Sequence, residues 1–383
     1  MNVLDGNRYR PPASNEAEIS IFGPGIGECI VVHLGGNEWI VVDSCLDRKS
    51  RQPVALQYLH SLDVNVASSV KLFVVTHWHD DHINGAAKIL EACQTAHFVC
   101  SLAMYSREFS ELVFAYGERS QMESSGVDEF RSILDELDRR QTGEVRREAI
   151  GPRYAISDRP LLTLARNGRP FDVRVTALSP SDAAVTLAKR ELALLFPQEE
   201  GTRRRAVARR PNDASVAIWI SIGNRHFLLG ADLETQPSDH VGWKAVVLSS
   251  NRPNARASVI KIPHHGSPNA YYREMWIEMA GVNPIALIAP FASGTRSLPQ
   301  TSDVARIRRH TDAIYCTGQP SGWRPPRRDN TVERTIREVA VTRRAIRGPM
   351  GQVRVRFPVE EESGDTKIEL FDGAMHLSDD QQT

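Results

Sequence analysis

The sequence predicts an α/β fold in which strands, paired in two halves, pack against helices. In the first half, strand-like runs lead into a loop crowded with histidines. In the second half, strand-like runs resume after a charged middle segment. The runs are about four to eight residues long and are bounded by Gly, Asn or Pro, as is typical of buried strands. Two layers of strands flanked by helices make an α/β sandwich.

The first half of the chain opens with a predicted hairpin. Its strands are Glu28–Leu34 and Trp39–Asp43, and a Gly-Gly-Asn segment separates them. A short helix is expected at Gln57–Leu62. The continuous apolar run Val70–Thr76 then predicts a strand that is buried on both faces. The histidines follow directly, and Gly85–Ala92 has helical composition, so the order is strand, histidine-rich loop, helix.

The character of the chain changes between residues 101 and 210. Ser106–Arg147 is charged and helical in pattern, whereas Leu161–Leu178 contains strand-like runs around an Asn-Gly turn. We expect this stretch, about 101–210, to be an insertion or cap that interrupts the main domain.

Strand patterns resume in the second half of the chain. The predicted strands are Ser215–Ile222, Phe227–Gly230, Ala257–Ile262, Ile285–Ala289 and Ala313–Cys316. Val353–Phe357 and Lys367–Phe371 predict a hairpin near the C-terminus. We therefore divide the chain into an N-terminal extension (1–18), a main domain (19–348) and a C-terminal hairpin with its tail (349–383).

The composition is that of a globular protein of the cytoplasm. A chain of 383 residues with 41% hydrophobic residues can bury a large core. Lys+Arg and Asp+Glu both number 47, so no broad field attracts nucleic acid or anionic lipid. Five cysteines without a CxxC pair argue against a disulfide framework. We find no secretory signal and no run of about 20 apolar residues, so we expect no membrane association.

The residues that point to chemistry are the His-Trp-His-Asp-Asp-His sequence at 77–82, directly after the predicted strand. Zinc binds imidazole nitrogen and carboxylate oxygen, and a loop that leaves a rigid strand can turn several side chains toward one point. A solvated histidine-rich loop is the alternative interpretation, but it does not explain why the histidines are so dense. The sequence therefore predicts a metal centre.

This pattern resembles the HxHxDH signature of the metallo-β-lactamase superfamily, with His77, His79, Asp81 and His82 at its fixed positions. The segments GPGIGECIVV, ALSPSD, NDASVAIWI, FLLGADLE and KIPHHGS are similar, in the same order, to the hydrolase domain of the competence-protein ComEC family. The resemblance implies a metallo-β-lactamase αββα sandwich, here with a helical and charged insertion. It also implies a site for two zinc ions, with manganese or iron as the alternative metal.

The resemblance implies roles for residues outside this signature as well. Asp43 matches the aspartate that supports the ligands without touching the metal, and Asp232 matches the aspartate that bridges two metals. The late histidine ligand comes from the Pro-His-His-Gly-Ser sequence at 263–267. Spacing does not decide which histidine binds, and we favour His264, which comes first after the strand. His265 then binds metal or substrate, and Ser267 contacts the substrate.

One departure from the family pattern concerns a further histidine that many members carry before the bridging aspartate. Between His97 and His226 this chain has none. The first metal position therefore has fewer protein ligands. Asn212 or Asp213 fills the gap or binds substrate, unless this Asn-Asp-Ala-Ser block is only a turn before a strand.

Together these features predict a metal-dependent phosphodiesterase or nuclease in which two metals activate water. Asp81 and Asp80 are the candidate catalytic carboxylates. Either could accept a proton, and the resemblance implies that Asp81 also binds the second metal. The run Arg203, Arg204 and Arg205 is expected to grip phosphate, because guanidinium groups match phosphate oxygens. A solvated surface loop is the simpler interpretation of this run.

Two other functions are compatible with the sequence. One is hydrolysis of a small cyclic nucleotide or of a non-phosphate ester, because substrate choice depends on the 101–210 segment, which matches no family we can name. The other is a regulatory module that works only with a protein partner, for example in a bacterial defence operon. The intact histidine signature weighs against a module without catalytic activity.

Overall fold

Two β-sheets packed face to face, with helices on both outer faces, make up the fold. The computed structural model describes residues 8–25, 27–107, 109–111, 113, 126–142, 152–167, 171–194, 211–293, 296–320, 331, 334–335, 339, 350–359 and 366–377. The predicted αββα sandwich is confirmed.

The strands of the described residues are numbered in chain order. They are β1 (Glu16–Gly25), β2 (Gly27–His33), β3 (Trp39–Val42), β4 (Val70–Val75), β5 (His97–Ser101), β6 (Arg153–Ala155), β7 (Pro160–Leu164), β8 (Val173–Ala177), β9 (Ile218–Ile222), β10 (Arg225–Leu229), β11 (Ala257–Lys261), β12 (Ala280–Ile288), β13 (Phe291–Ser293), β14 (Arg296–Leu298), β15 (Ile314–Cys316), β16 (Gly351–Pro358), β17 (Lys367–Phe371) and β18 (Met375–His376). The first sheet has the order β17-β16-β1-β2-β3-β4-β5-β6, the second has the order β18-β15-β12-β11-β10-β9-β8-β7, and β13 pairs with β14.

The helices cover the outer faces of these sheets. They are α1 (Val54–Ser61), α2 (Val66–Ser69), α3 (Asp80–Ile83), α4 (Ala86–Ala92), α5 (Gly126–Thr142), α6 (Asp182–Ala193), α7 (Gly242–Leu248), α8 (Arg273–Met279) and α9 (Thr301–Arg308). In the part of the chain that the structure describes, short 3₁₀ turns lie at Leu102–Tyr105, Pro211–Ala214, Pro263–Gly266 and Pro268–Ala270. No helix in the described part of the chain combines the length and the apolar character that a bilayer crossing requires.

Alternate side chains of the central strands serve two different cores. In β4, Leu72 and Val74 face the core between the sheets, whereas Phe73 and Val75 face the core under α1, α4 and α5. A strand whose two faces are both buried needs a continuous apolar sequence, which explains the run at Val70–Val75. The same rigid strand delivers the histidine-rich loop, because the loop begins where β4 ends.

The predicted hairpins and the main strands of both halves are confirmed. β2 pairs with β3 and β16 pairs with β17, both antiparallel.

The segment predicted as an insertion, about 101–210, contributes more to the sandwich than expected. Its strand β6 pairs with β5 in the first sheet, and β7 and β8 pair with β9 in the second. Likewise the predicted C-terminal hairpin is part of the first sheet, because β16 pairs with β1.

A buried polar network on the outer face of the first sheet joins β16 to β1 and α1. Arg356 Nε donates to Glu18 Oε2 at 2.7 Å, and Tyr58 Oη donates to Glu18 Oε1 at 2.5 Å. Arg356 Nη2 also donates to the carbonyl of Arg10 at 2.6 Å. The network therefore fastens the segment that precedes β1 onto β16, far along the sequence.

Candidate metal centre

The histidine-rich loop places its side chains at the end of β4. His77 and His82 are fully buried, and the side chain of Asp81 keeps 22% of its surface exposed. His77 Nε2 lies 3.1 Å from His79 Nδ1, and the rings of His77 and His82 are 4.2 Å apart between centroids. The loop turns into α3 at Asp80, so the short helix directs Asp81 and His82 back toward the strand end.

Asp43, at the end of β3, supports two of these histidines. Its Oδ2 accepts hydrogen bonds from His82 Nδ1 at 2.7 Å and from Thr76 Oγ1 at 2.8 Å. Since the Thr76 hydroxyl donates to Asp43, it is free to accept from His77 Nδ1, 3.0 Å away. Both histidines then carry their proton on Nδ1 and present Nε2 as a ligand atom. The resemblance implies a supporting role of this kind for Asp43, and that role stays a prediction.

The second sheet contributes Asp232, which follows β10 and faces the loop. Asp232 Oδ1 lies 3.5 Å from His82 Nε2, and Oδ2 lies 4.0 Å from His77 Nε2. The carboxylate is 2% exposed. One oxygen thus faces each of the two histidines that Asp43 supports, which is the placement that a bridging carboxylate needs.

The Pro263–Gly266 turn carries the two late histidines, and both adopt left-handed backbone conformations, with φ of 45° for His264 and 54° for His265. His265 Nε2 lies 3.4 Å from Asp81 Oδ2 and 3.7 Å from Asp232 Oδ2. His264 Nε2 lies 3.8 Å from Asp232 Oδ2, while its Nδ1 lies 3.1 Å from Glu234 Oε1. The two rings therefore lie in different surroundings.

Three sets of side chains in the described residues bring one ligand atom each within 4.8 Å of one another. The sets are His77 with His82 and Asp232, Asp81 with His82 and His265, and Glu28 with Asp43 and His82. His265 belongs to one of these sets and His264 to none. The geometry thus favours His265 beside Asp81 and His82, whereas the choice of His264 as the late ligand stays a prediction.

The buried ligand atoms fit a bound cation. Among the described residues, His82 Nε2, Asp232 Oδ1 and His265 Nε2 are buried without a hydrogen-bond partner. A buried polar atom without a partner is costly, and such atoms in native structures call for an explanation. Imidazole nitrogens and carboxylate oxygens in one cluster are the donors that zinc and similar divalent metals take.

The charges of the cluster are strongly coupled. Burial opposes ionisation of Asp81, but His82 and His265 outweigh burial and hold the pKa of this carboxyl below its usual range. Burial also lowers the pKa of His265, yet Asp232, Asp81 and Glu28 together raise it to about 10. In the absence of a metal, these carboxylates therefore favour the protonated form of the His265 ring. A metal must displace such protons, so its binding is linked to proton release.

Two charged residues of the centre were not among the predicted site residues. Lys261, the last residue of β11, places Nζ 2.5 Å from Glu28 Oε1, and both side chains are buried. Lys261 is the single charged residue of the mostly apolar run Ala257–Ile262, and Glu28 is the single charged residue of the mostly apolar run Glu28–Leu34. A charge within a strand that is to be buried is itself a signal, because it needs a partner inside the protein.

The remaining predicted site residues lie at the margin of the centre. Asn212 Nδ2 donates to Glu234 Oε1 at 3.0 Å and lies 3.5 Å from His264 Nε2. Asp213 Oδ1 accepts from Gln236 Nε2 at 2.6 Å. Ser267 is buried and its backbone N donates to the carbonyl of His264 at 2.8 Å. The predicted roles of these side chains in binding metal or substrate stay predictions.

Asp80 contacts the start of α5, which lies 46 residues further along the chain. Its Oδ1 accepts a hydrogen bond from the backbone N of Gly126, the first residue of α5, at 2.6 Å. Its predicted role as a proton acceptor stays a prediction. Arg203, Arg204 and Arg205 lie outside the described residues, so their role in phosphate binding also stays a prediction.

Comparison with known proteins gives one family match. The family model described as the metallo-beta-lactamase superfamily matches residues 22–274, more than half of the chain. No curated protein sequence matches significantly. Among solved structures, the metallo-β-lactamase fold protein YhfI from Bacillus subtilis is 11% identical, with a TM-score of 0.37, over 78% of this chain and 94% of its own. Zn²⁺-bound PqqB from Methylobacterium extorquens is 11% identical, with a TM-score of 0.29, over 61% of this chain and 58% of its own.

Proposed function

Because the chain belongs to the metallo-β-lactamase superfamily and is thus a metal-dependent hydrolase, we propose that its metal centre hydrolyses phosphodiesters, as a phosphodiesterase or nuclease. The observation that carries the proposal is the cluster of buried, unpartnered nitrogen and oxygen atoms around Asp232. These atoms come from both sheets and converge on one point, which no requirement of core packing explains.

The match to the family signature, together with the distances between these atoms, suggests how the ligands divide. His77 and His79 would hold the first metal, while Asp81, His82 and His265 would hold the second. Asp232 would contribute to both positions, since one of its oxygens faces His77 and the other faces His82. The proposed metal is zinc, two ions per chain, with manganese or iron as alternatives. Nitrogen-rich donor sets of this kind favour zinc over magnesium or calcium.

Two divalent cations at this centre would lower the pKa of a water molecule and neutralise charge on phosphoryl oxygens. The chain's own residues prepare the centre for that chemistry. Asp43 and Thr76 fix the proton positions of His82 and His77, so that no ring has to turn when a metal enters. Asp81 is the most exposed of the clustered carboxylates, so the centre is open to solvent on its side.

The choice of a phosphodiester rests on the sequence. Five segments resemble the hydrolase domain of the ComEC family, and two of them contain Asp232 and the Pro263–Ser267 turn. The chain has no net charge, so affinity for a polyanion must come from the site and from local arginines such as Arg203–Arg205.

A substrate panel tests the proposal directly. Protein loaded with Zn²⁺ or Mn²⁺ is assayed on bis(p-nitrophenyl) phosphate, single- and double-stranded DNA, RNA, a cyclic dinucleotide, a chromogenic lactam and a thioester. We expect cleavage of at least one phosphodiester, its loss on chelation and its return when metal is added. Hydrolysis of the lactam or thioester alone would assign the site to another substrate class and contradict the proposal.

Removing Asp81 tests the ligand assignment. We expect Asp81→Ala to lower kcat/KM on the phosphodiester roughly 100-fold or more, since even residues behind metal ligands are worth about 10- to 100-fold. Because Asp81 lies on a partly exposed turn, the melting temperature of the metal-free protein should change little. Asp138→Ala, at an exposed position of α5, is the control and should retain full activity. Turnover at the wild-type rate in Asp81→Ala would remove this residue from the mechanism.

A further inference from the structure

A buried ion pair that the proposed chemistry does not use lies beside Asp232. Lys261 ends β11 in the second sheet, and Glu28 lies near the start of β2 in the first. Lys261 is 0% exposed and Glu28 is 2% exposed, and Nζ and Oε1 are 2.5 Å apart. Burying two charges costs free energy even when they pair, so the pair calls for an explanation beyond stability.

The remaining contacts of Lys261 lead to Asp232. Its Nζ donates to the carbonyl of Ala231 at 2.9 Å and lies 3.7 Å from Asp232 Oδ1. Ala231 has a φ of 45°, a left-handed conformation that residues other than glycine rarely adopt. The ammonium group therefore holds both the strained backbone before Asp232 and the charge of its carboxylate.

The remaining contacts of Glu28 lead to His265 and His82. Glu28 Oε2 lies 3.4 Å from His265 Nδ1, and Oε1 lies 3.9 Å from His82 Nδ1. His265 Nδ1 also donates to the carbonyl of Ala289 at 2.9 Å. With the Nδ1 side of the ring held in this way, Nε2 points toward Asp81. Carboxylates and carbonyls behind a histidine commonly orient it for a metal in this manner.

We propose that Lys261 and Glu28 act as one positioning pair that fixes Asp232 and His265 for the metal of the second position. The inference rests on the proposed metal centre but not on the proposed substrate. Neither residue touches the metal in this assignment, since each acts through a ligand that it holds. Because the two residues belong to different sheets, the pair also keeps the two halves of the ligand set in register.

Metal titration of the chelator-treated protein tests this. The binding of Zn²⁺ is measured by calorimetry and that of Co²⁺ by its visible absorption, for the wild type, Lys261→Met, Glu28→Gln and the double variant. We expect the wild type to bind two equivalents. In each variant, including the double, the second equivalent should bind roughly 10- to 100-fold more weakly, with an altered Co²⁺ spectrum. The double variant removes both charges of the pair, so neither is left without the other. It is therefore the variant to interpret if the single variants do not fold.

The chain offers a matched control in the ion pair of Glu18 and Arg356, which is equally buried, has an N–O distance of 2.7 Å and lies on the outer face of the first sheet. We expect its double variant, Glu18→Gln with Arg356→Met, to lower thermal stability without changing metal affinity. Lys261→Arg is a further variant. This variant keeps both charges of the pair, so we expect it to fold. Because the substitution moves the donor atoms, the Co²⁺ spectrum should shift.

Two outcomes separate the proposals. If Lys261→Met with Glu28→Gln, or Lys261→Arg, binds both equivalents with the affinity and spectrum of the wild type, the pair is only structural and this inference is wrong. If the wild type itself binds no second equivalent, the proposed metal centre fails instead.

Discussion

His33 shows what burial does to the pKa of a histidine when the charges around it, those of Arg356 and Glu38, act less strongly than burial. This histidine is the last residue of β2, whereas Glu28 lies near the start of the same strand. His33 is 1% exposed and donates from Nδ1 to the carbonyl of Glu16 at 2.8 Å. Burial lowers its pKa to about 4, although the hydrogen bond to Glu16 opposes this shift. His265 is buried to a similar degree, but its carboxylate neighbours raise its pKa to about 10. The surroundings, and not the depth, decide which form each ring takes.

The pKa of His33 predicts a loss of stability in mild acid. Between pH 6.5 and pH 4 the unfolded chain binds a proton at this residue and the folded chain does not, so stability falls as pH falls through this window. The loss amounts to about 2 kcal/mol between pH 7 and pH 5. His33→Asn keeps a donor near the Glu16 carbonyl but cannot titrate. Urea unfolding at both pH values should show a smaller acid loss in this variant, and equal losses in the two proteins would contradict the assignment.

At the scale of elements, hydrogen bonds join α5 to the histidine-rich loop and to α4. Asp80 accepts from the first backbone N of α5, at Gly126, and Glu129 on α5 accepts from the backbone N of Ala87 in α4 at 2.9 Å. A Cβ atom on Gly126 would lie 2.1 Å from the carbonyl oxygen of Trp78, so only glycine permits this approach. The start of α5 therefore packs closely against the backbone that carries the proposed metal ligands.

This contact predicts a difference between two substitutions of Asp80. Asp80→Asn keeps an oxygen that can accept from Gly126, whereas Asp80→Ala does not. We expect Asp80→Ala to lose about 1 kcal/mol of stability, as for other lost helix caps, together with a lower kcat on a model phosphodiester. Asp80→Asn should stay near the wild type in both. If Asp80 were instead the proton acceptor of the reaction, Asp80→Asn would be as inactive as Asp80→Ala, and the pair of rates distinguishes the two roles.

Elements whose signal is local could be predicted from the sequence. The strand at Val70–Val75 and the loop after it follow from a continuous apolar run and a dense set of histidines. Which of His264 and His265 lies beside Asp81 depends on left-handed backbone conformations at both residues, which their spacing does not reveal. Likewise, Glu28 and Lys261 stand out as charges in apolar runs, but their pairing depends on how two sheets meet.

At the scale of the whole molecule, the proposed ligands divide between the two sheets. The loop after β4 belongs to the first sheet, and Asp232 and His265 follow strands of the second. A metal bound between them would therefore join the two layers at one edge of the sandwich. Binding of this kind stabilises the folded state, because the unfolded chain does not hold the ligands together.

Metal removal should accordingly lower the melting temperature. At free metal about 1,000 times above Kd, one site contributes about 4 kcal/mol, which corresponds to a shift of several degrees for a chain of this size. Differential scanning calorimetry with Zn²⁺ and with a chelator measures the shift. The Asp81→Ala protein should show a clearly smaller difference between the two conditions. Melting temperatures that are the same with and without metal would contradict the placement of the ligands across both sheets.

The pairing of β1 with β16 has a consequence for how the chain reaches this state. Arg356 and Glu18 are 338 residues apart in sequence, and β1 lies between β2 and β16 in its sheet. As the ribosome extends the chain, β1 and β2 emerge together, but the second neighbour of β1 emerges only about 338 residues later. Until then one edge of β1 stays open to other nascent or misfolded chains. Contacts so distant in sequence also raise the contact order, which slows folding, so the interval before β16 pairs with β1 is one in which this protein is exposed to aggregation.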